Sequence, residues 1–213
     1  MNKLIVFDFD GTIADTSEGI FNSIRYTQKM MGLPEITAEQ MRSHVGPPIE
    51  ESYNRSFGLV RGELKRAIAF HKEYAVKQGY RELRLYDGII ETLERLRSSG
   101  YKTAVATLKV QDTVDKILDS FKIKDKFDFV AGITDPSSKA ELVLKCAGQL
   151  GCSKSETILI GDSEYDAIGA QNAQVDFIAV TYGFGFKPES DIGYDHISVC
   201  GSPKEIADFL IMR

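Results

Sequence analysis

The chain has 213 residues, 43% of them apolar and 27% charged, enough for a full hydrophobic core and incompatible with a disordered or fibrous protein. Lys and Arg total 26 against 31 Asp and Glu, a net charge of −5 that argues against nucleic acid as a main partner. No apolar run approaches the roughly 18 residues of a membrane span, so no membrane partner is expected.

In chain order, Leu4-Ile5-Val6-Phe7 reads as a buried strand. Asp8 and Asp10 follow at once and no small-residue cleavage site appears, so it does not read as a signal peptide. From Asp15 to Arg84 no strand-like run occurs. A helix is predicted over Ser17–Met31, with Ile20, Phe21, Ile24, Thr27 and Met31 on one face. Thr37 and Gln40 are spaced for a capping box, Pro48 is expected in the first turn of another helix, and Gly62–Gln78 is a long helical pattern. Residues 15–84 carry 11 Lys and Arg against 9 Asp and Glu, a net of +2, which leaves −7 for the remainder. Composition and pattern together mark an all-helical insertion.

Beyond it, strand-like runs at Thr103–Ala106, Phe127–Ala131, Ile158–Ile160 and Phe177–Val180 alternate with helices predicted over Gly88–Ser99, Val110–Phe121, Lys139–Leu150 and Glu164–Asn172. Near-continuous apolar strands alternating with helices predict an α/β fold, a Rossmann-like parallel sheet covered on both faces. The expected organisation is an α/β core of residues 1–14 and 85–213 and a helical cap of residues 15–84. Cys146, Cys152 and Cys200 have no ligand-like spacing and read as reduced, buried thiols, which makes the cytoplasm the expected location.

Ligands of open parallel sheets bind beyond the carboxyl ends of the strands. The first strand delivers Asp8 and Asp10, which alternation puts on one side; a later strand delivers Asp162, with Asp166 four residues on. Four converging carboxylates call for a bound cation, and hard oxygen ligands favour Mg²⁺. Thr107 at one strand end and Lys139 at the start of a helix could hold a phosphoryl group against that cation. Asp8 would then attack phosphorus, and Asp10 would protonate the leaving oxygen and later activate water.

Asp8-x-Asp10-Gly11-Thr12 resembles the first motif of the haloacid dehalogenase superfamily of phosphohydrolases. Thr107 is similar to its second motif, Lys139 to its third, and Gly161-Asp162-x-x-x-Asp166 to its fourth, in the family's order. Cap and core together look most like the phosphoglycolate phosphatase branch and its nucleoside-monophosphatase-like relatives. The resemblance implies Asp8 as nucleophile, Asp10 as acid and base, and Mg²⁺ held by Asp8, Asp162 and the Asp10 backbone carbonyl, with Asp166 supporting the metal indirectly.

Two positions depart from the family pattern. Leu108 stands where a small polar residue is usual, and Ala140-Glu141 follows Lys139 where the branch has prolines. Lys109, also just past a strand end, rivals Lys139 for the basic role. In the cap, His44, Gly46 and Pro47 lie where the family often places a substrate-specificity loop, although a plain interhelical turn explains them equally. Tyr182–Phe186 after the last predicted strand reads either as a wall of the active-site mouth or as loop packing. The expected substrate is a small phosphorylated metabolite of the phosphoglycolate kind. Nucleoside 5′-monophosphate hydrolysis and sugar-phosphate mutation are the alternatives. Oligomeric state is not legible.

Overall fold

The computed structural model describes residues 3–134, 137–188 and 191–212. The chain divides into two compact units, one formed by the chain up to Ala14 and from Leu85 onward, the other by Asp15–Arg84.

The first unit is an α/β fold built on a six-stranded sheet. Its strands are β1 (Leu4–Phe7), β4 (Lys102–Val110), β5 (Phe129–Ile133), β6 (Thr157–Gly161), β7 (Asp176–Val180) and β8 (Ser198–Cys200), in the order β5-β4-β1-β6-β7-β8. Every pairing is parallel. Parallel strands need crossovers, here carrying α5 (Ile89–Ser98), α6 (Gln111–Ser120), α7 (Lys139–Gln149) and α8 (Glu164–Ala173), while α9 (Pro203–Met212) follows the last strand. β1 and β6 are buried along their whole length, as strands covered on both faces must be, and this accounts for their apolar runs. One core layer joins Leu4, Val6, Ala104, Ala106 and Leu159 of the sheet to Leu142, Val143, Cys146 and Ala147 of α7 and to Ala167 and Ala170 of α8. The chain runs outward from β1 through β4 to β5, then returns to β6 on the other side of β1. The strand order therefore reverses between β1 and β6, the point where α/β sheets bind ligands.

The connections to the second unit are two-residue strands, β2 (Ala14–Asp15) and β3 (Arg84–Leu85), which pair with each other. Within that unit Arg84 Nη2 lies 3.1 Å from Asp15 Oδ2, and the Asp15 carboxylate also accepts from the Ser17 backbone and hydroxyl. Four helices follow: α1 (Ser17–Met31), α2 (Ala38–Arg42), α3 (Ile49–Phe57) and α4 (Arg61–Lys77). The predicted Thr37–Gln40 capping box opens α2. Pro48 stands one position earlier than expected: its ψ of 135° keeps it out of the helix and its carbonyl accepts from Ser52 N, so it is the N-cap of α3. The predicted strand at Phe127–Ala131 is also displaced, to Phe129–Ile133, because Lys124–Lys126 form a 3₁₀ turn that runs into Phe127. The short β2, β3 and β8 and the helix α9 had no counterpart in the sequence pattern. Among the described residues, no helix is long and apolar enough to cross a membrane.

Tyr53 is fully buried at the centre of the helical unit, with Leu59 and Ala67 and flanked by Met31, Ile49, Phe57 and Leu64. His44 stacks edge-on against its ring at 5.5 Å and hydrogen-bonds Ser56 Oγ through Nε2 at 2.8 Å. Burial, assisted by the charge of Arg55, pushes the His44 imidazole down to about 4. A histidine kept neutral in the fold but free to charge when unfolded contributes stability that is full above about 6.5 and lost as pH falls towards 4. Urea unfolding should therefore show the helical unit weakening by on the order of 2 kcal/mol between pH 7 and pH 4.5, and His44→Gln should flatten that slope.

Candidate active site

β1 ends at Phe7, and Asp8 follows with its N–H donating to Ile160 O of β6 at 2.8 Å. The chain then turns. Ile13 and Ala14 N–H groups both donate to Phe9 O, and Gly11 N donates to Ala14 O. Gly11 has φ +84°, and a Cβ there would collide with the carboxylate of Asp162, so only glycine serves at this corner. The turn holds the β1 corner against the residue that ends β6.

Lys139 is the first residue of α7. A cation at a helix N-terminus opposes the dipole, and a capping box offsets this: Ser138 Oγ accepts from Glu141 N, and the Glu141 carboxylate accepts from Ser138 N at 2.7 Å. The lysine side chain turns inward and is 6% exposed. Its ammonium pairs with Asp8 Oδ1, with Asp166 Oδ1 at 2.9 Å, and donates to Ala106 O of β4 at 3.0 Å. Burial opposes its charge, but Asp166 and Asp8 outweigh burial and raise its pKa, so it stays cationic.

Asp166 belongs to a second capping box at the start of α8. Its Oδ2 accepts from Ser163 N at 3.1 Å and Ser163 Oγ at 2.6 Å, while its buried Oδ1 is ion-paired with Lys139 but makes no hydrogen bond among the described residues. Asp162 Oδ2 accepts from Phe184 N at 2.7 Å and Gly185 N at 3.1 Å, which leaves Oδ1. One oxygen from each of Asp8, Asp162 and Asp166 lies within 4.8 Å of the others, and all three residues are buried. Burial pushes the Asp162 carboxyl up to about 7, with Asp166 adding to the rise and the two amides opposing it. Burial raises Asp8 in the same direction, against the pull of Lys139.

The remaining residues singled out in the sequence divide into two groups. Thr107 is buried in β4, its hydroxyl accepting from Lys109 N at 3.2 Å, and Leu108 beside it is half-buried against the core layer. Asp10 does not join the three carboxylates. Past Phe7 the chain is a turn rather than a strand, so alternation no longer governs it, and the Asp10 carboxylate meets Lys109 Nζ at 2.7 and 3.0 Å. Each lysine thus has its own carboxylate: Lys139 holds Asp8 and Lys109 holds Asp10. In the helical unit, the His44 ring is committed to the packing around Tyr53; Gly46 adopts φ +99° and Pro47 is half-buried in the same turn. Sequence reasoning missed Ser163 and the Phe184 and Gly185 amides. Ser163 is spaced for a cap three residues before Asp166, and Gly183-Phe184-Gly185 directly after a strand is the one local signal of an amide cradle. The ring of Tyr182 packs edge-on to Tyr86 at 4.8 Å, and its hydroxyl donates to Thr12 O at 2.9 Å.

Residues 5–180 match the family model described as haloacid dehalogenase-like hydrolase. The chain is 33% identical over 186 residues to the tyrosine-protein kinase PtkA of Mycobacterium tuberculosis, covering 86% of this chain and 63% of that one, so it spans less than two thirds of that relative's length. It is 30% identical over 188 residues to a 5′-nucleotidase of Pseudomonas aeruginosa, covering 87% and 85% of the two chains. Among solved structures, a haloacid dehalogenase-like family hydrolase from Streptococcus pneumoniae superposes with a TM-score of 0.91 at 29% identity, covering 98% of each chain. With 98% of the chain matched by that structure and the carboxylates of Asp8, Asp162 and Asp166 gathered where the strand order reverses, this chain belongs to the haloacid dehalogenase-like hydrolases.

Proposed function

We propose that this protein is a Mg²⁺-dependent phosphatase that hydrolyses a small phosphomonoester through an aspartyl-phosphate on Asp8. The observation that carries this reading is the meeting of three buried carboxylates, Asp8, Asp162 and Asp166, around the single ammonium of Lys139. Three negative charges against one positive leave two uncompensated in a buried site. That balance, on hard oxygen donors, fits a divalent cation of the Mg²⁺ kind. Asp8 and Asp162 would hold it through the oxygens that Lys139 and the two amides leave, together with the Asp10 carbonyl. Asp166, its Oδ2 held by Ser163 and its Oδ1 ion-paired with Lys139, would support the site by aiming that lysine. When bound, Mg²⁺ supplies the positive charge that lets an anionic phosphoryl group approach an anionic nucleophile.

The chain's own residues supply the remaining chemistry. Thr107 and the backbone N–H groups after Asp8 hold phosphoryl oxygens, and Lys139 orients Asp8 and neutralises charge on the transferring group. The Asp8 carboxylate forms a bond to phosphorus as the ester bond breaks, and Asp10 gives its proton to the departing oxygen. Asp10 then takes a proton from the water that attacks the acyl phosphate, which frees phosphate and restores Asp8. The substrate is a soluble metabolite of the phosphoglycolate kind, handled in the cytoplasm. Nucleoside 5′-monophosphates are a second class, supported by the 30% identical 5′-nucleotidase.

A phosphate-release screen over a panel of phosphomonoesters, with Mg²⁺ and with chelator, tests the reading. Release should require Mg²⁺, and Asp8→Asn should lower it by about 10³-fold or more. Normal Mg²⁺-dependent turnover by that variant would sink the mechanism. Thermal melts give a second check. A carboxyl whose pKa rises on folding costs stability as pH climbs through about 4 towards 7, so the α/β unit of the metal-free protein, which lacks the opposing His44 contribution, should melt lower at pH 8 than at pH 5. Asp162→Asn should recover on the order of 2 kcal/mol at pH 8, and it should abolish the rise in melting temperature that Mg²⁺ gives the parent.

A further inference from the structure

We propose that Lys109 binds the departing part of the substrate and makes this site prefer phosphoryl donors whose leaving group carries a negative charge, a carboxylate or a second phosphate, near the bridging oxygen. The proposal rests on the phosphatase reading of the same site.

The position of Lys109 is built rather than incidental. β4 and β5 pair Ala106 with Ala131 and Val110 with Ile133, so Thr107, Leu108 and Lys109 together face the single residue Gly132. Such a bulge bends the strand and re-aims its side chains. Gly132 permits it: a Cβ there would lie 2.8 Å from Gln111 Cα and 2.9 Å from Lys109 O, too close for any other residue. The Gly132 N–H is in turn held by Gln111 Oε1 at 2.7 Å. The bulge delivers the Lys109 ammonium to both oxygens of Asp10, with the lysine side chain 18% exposed and the aspartate 13%.

The two lysines therefore divide the centre. Lys139 stands with Asp8 and Asp166, where the phosphoryl group is attacked. Lys109 stands with Asp10, the residue that must reach the bridging oxygen, and so lies on the leaving-group side. An ammonium has three N–H donors. Asp10 takes two, and among the described residues no third acceptor meets Lys109, whose side chain is partly exposed. A neutral hydroxyl in that place gains only a charge–dipole hydrogen bond from the ammonium, whereas an anion adds the attraction of a full opposite charge. The same reasoning ranks nucleoside monophosphates, whose leaving group is an uncharged sugar and base, below donors with an anionic leaving group.

The test compares kcat/KM for phosphoglycolate, inorganic pyrophosphate and the neutral 2-hydroxyethyl phosphate, using the full chain with Mg²⁺ and the variants Lys109→Met and Lys109→Arg. The parent should favour at least one charged donor over the neutral one. Lys109→Met should shrink that ratio by about tenfold or more, chiefly through KM, and Lys109→Arg should keep most of it. The donor that loses more identifies a carboxylate or a phosphate as the anion. A ratio unchanged in Lys109→Met, or a parent that prefers the neutral ester, overturns the assignment while leaving the phosphatase reading intact. Release from none of the three, nor from p-nitrophenyl phosphate, overturns both.

Discussion

Four charges meet at the point where the strand order of the parallel sheet reverses: the carboxylates of Asp8, Asp162 and Asp166 and the ammonium of Lys139, none more than 6% exposed. Removing charges from water costs several kcal/mol each unless they are paired and hydrogen-bonded, and the local structure answers that constraint residue by residue. Asp8 and Asp166 share Lys139, Asp166 also takes the N–H and hydroxyl of Ser163, and Asp162 takes two amides of the glycine-rich loop after β7. The residual negative charge is not answered by any side chain of the cluster, and that imbalance is the physical basis for the proposal that a divalent cation binds there.

The architecture follows from placing those groups on rigid supports. Because all six strands run the same way, the residues that follow β1, β4 and β6 emerge at one edge of the sheet. β1 lies between β4 and β6, so Asp8 sits between the Ala106 carbonyl that anchors Lys139 and the β6 end that carries Asp162. Two capping boxes start α7 and α8 at the residues the site needs, which couples helix initiation to the placement of Lys139 and Asp166. A glycine corner at Gly11 closes the approach of β1 to Asp162.

Much of this was legible in the residues. The apolar runs at Leu4–Phe7 and Ile158–Ile160 announce strands buried on both faces, and an Asp at the end of each is more than turn chemistry needs. The helical segment between Asp15 and Arg84 is visible in its periodicity, and the Thr37–Gln40 cap in its spacing. Other features depend on backbone geometry that pattern does not encode. Period-two alternation puts Asp8 and Asp10 together, but it stops applying where β1 ends, and the two carboxylates go to different lysines. Pro48 reads as a first-turn residue and acts as a cap because its ψ is extended. His44 reads as a loop histidine and is a packing partner of Tyr53.

What the sequence determined by itself is most of the core strands and helices and the acids that stand at strand ends, since strand and helix periods and the strand-end placement of acids are local properties of the chain. What only the tertiary structure decided is the pairing of charges. Lys139 and Lys109 look alike in sequence, each a lysine just beyond a strand, and which one meets Asp8 depends on a helix start 131 residues away and a bulge 99 residues from Asp10. Coulombic and hydrogen-bonding partners are set by distances across the sheet, and those distances exist only once the strands have paired.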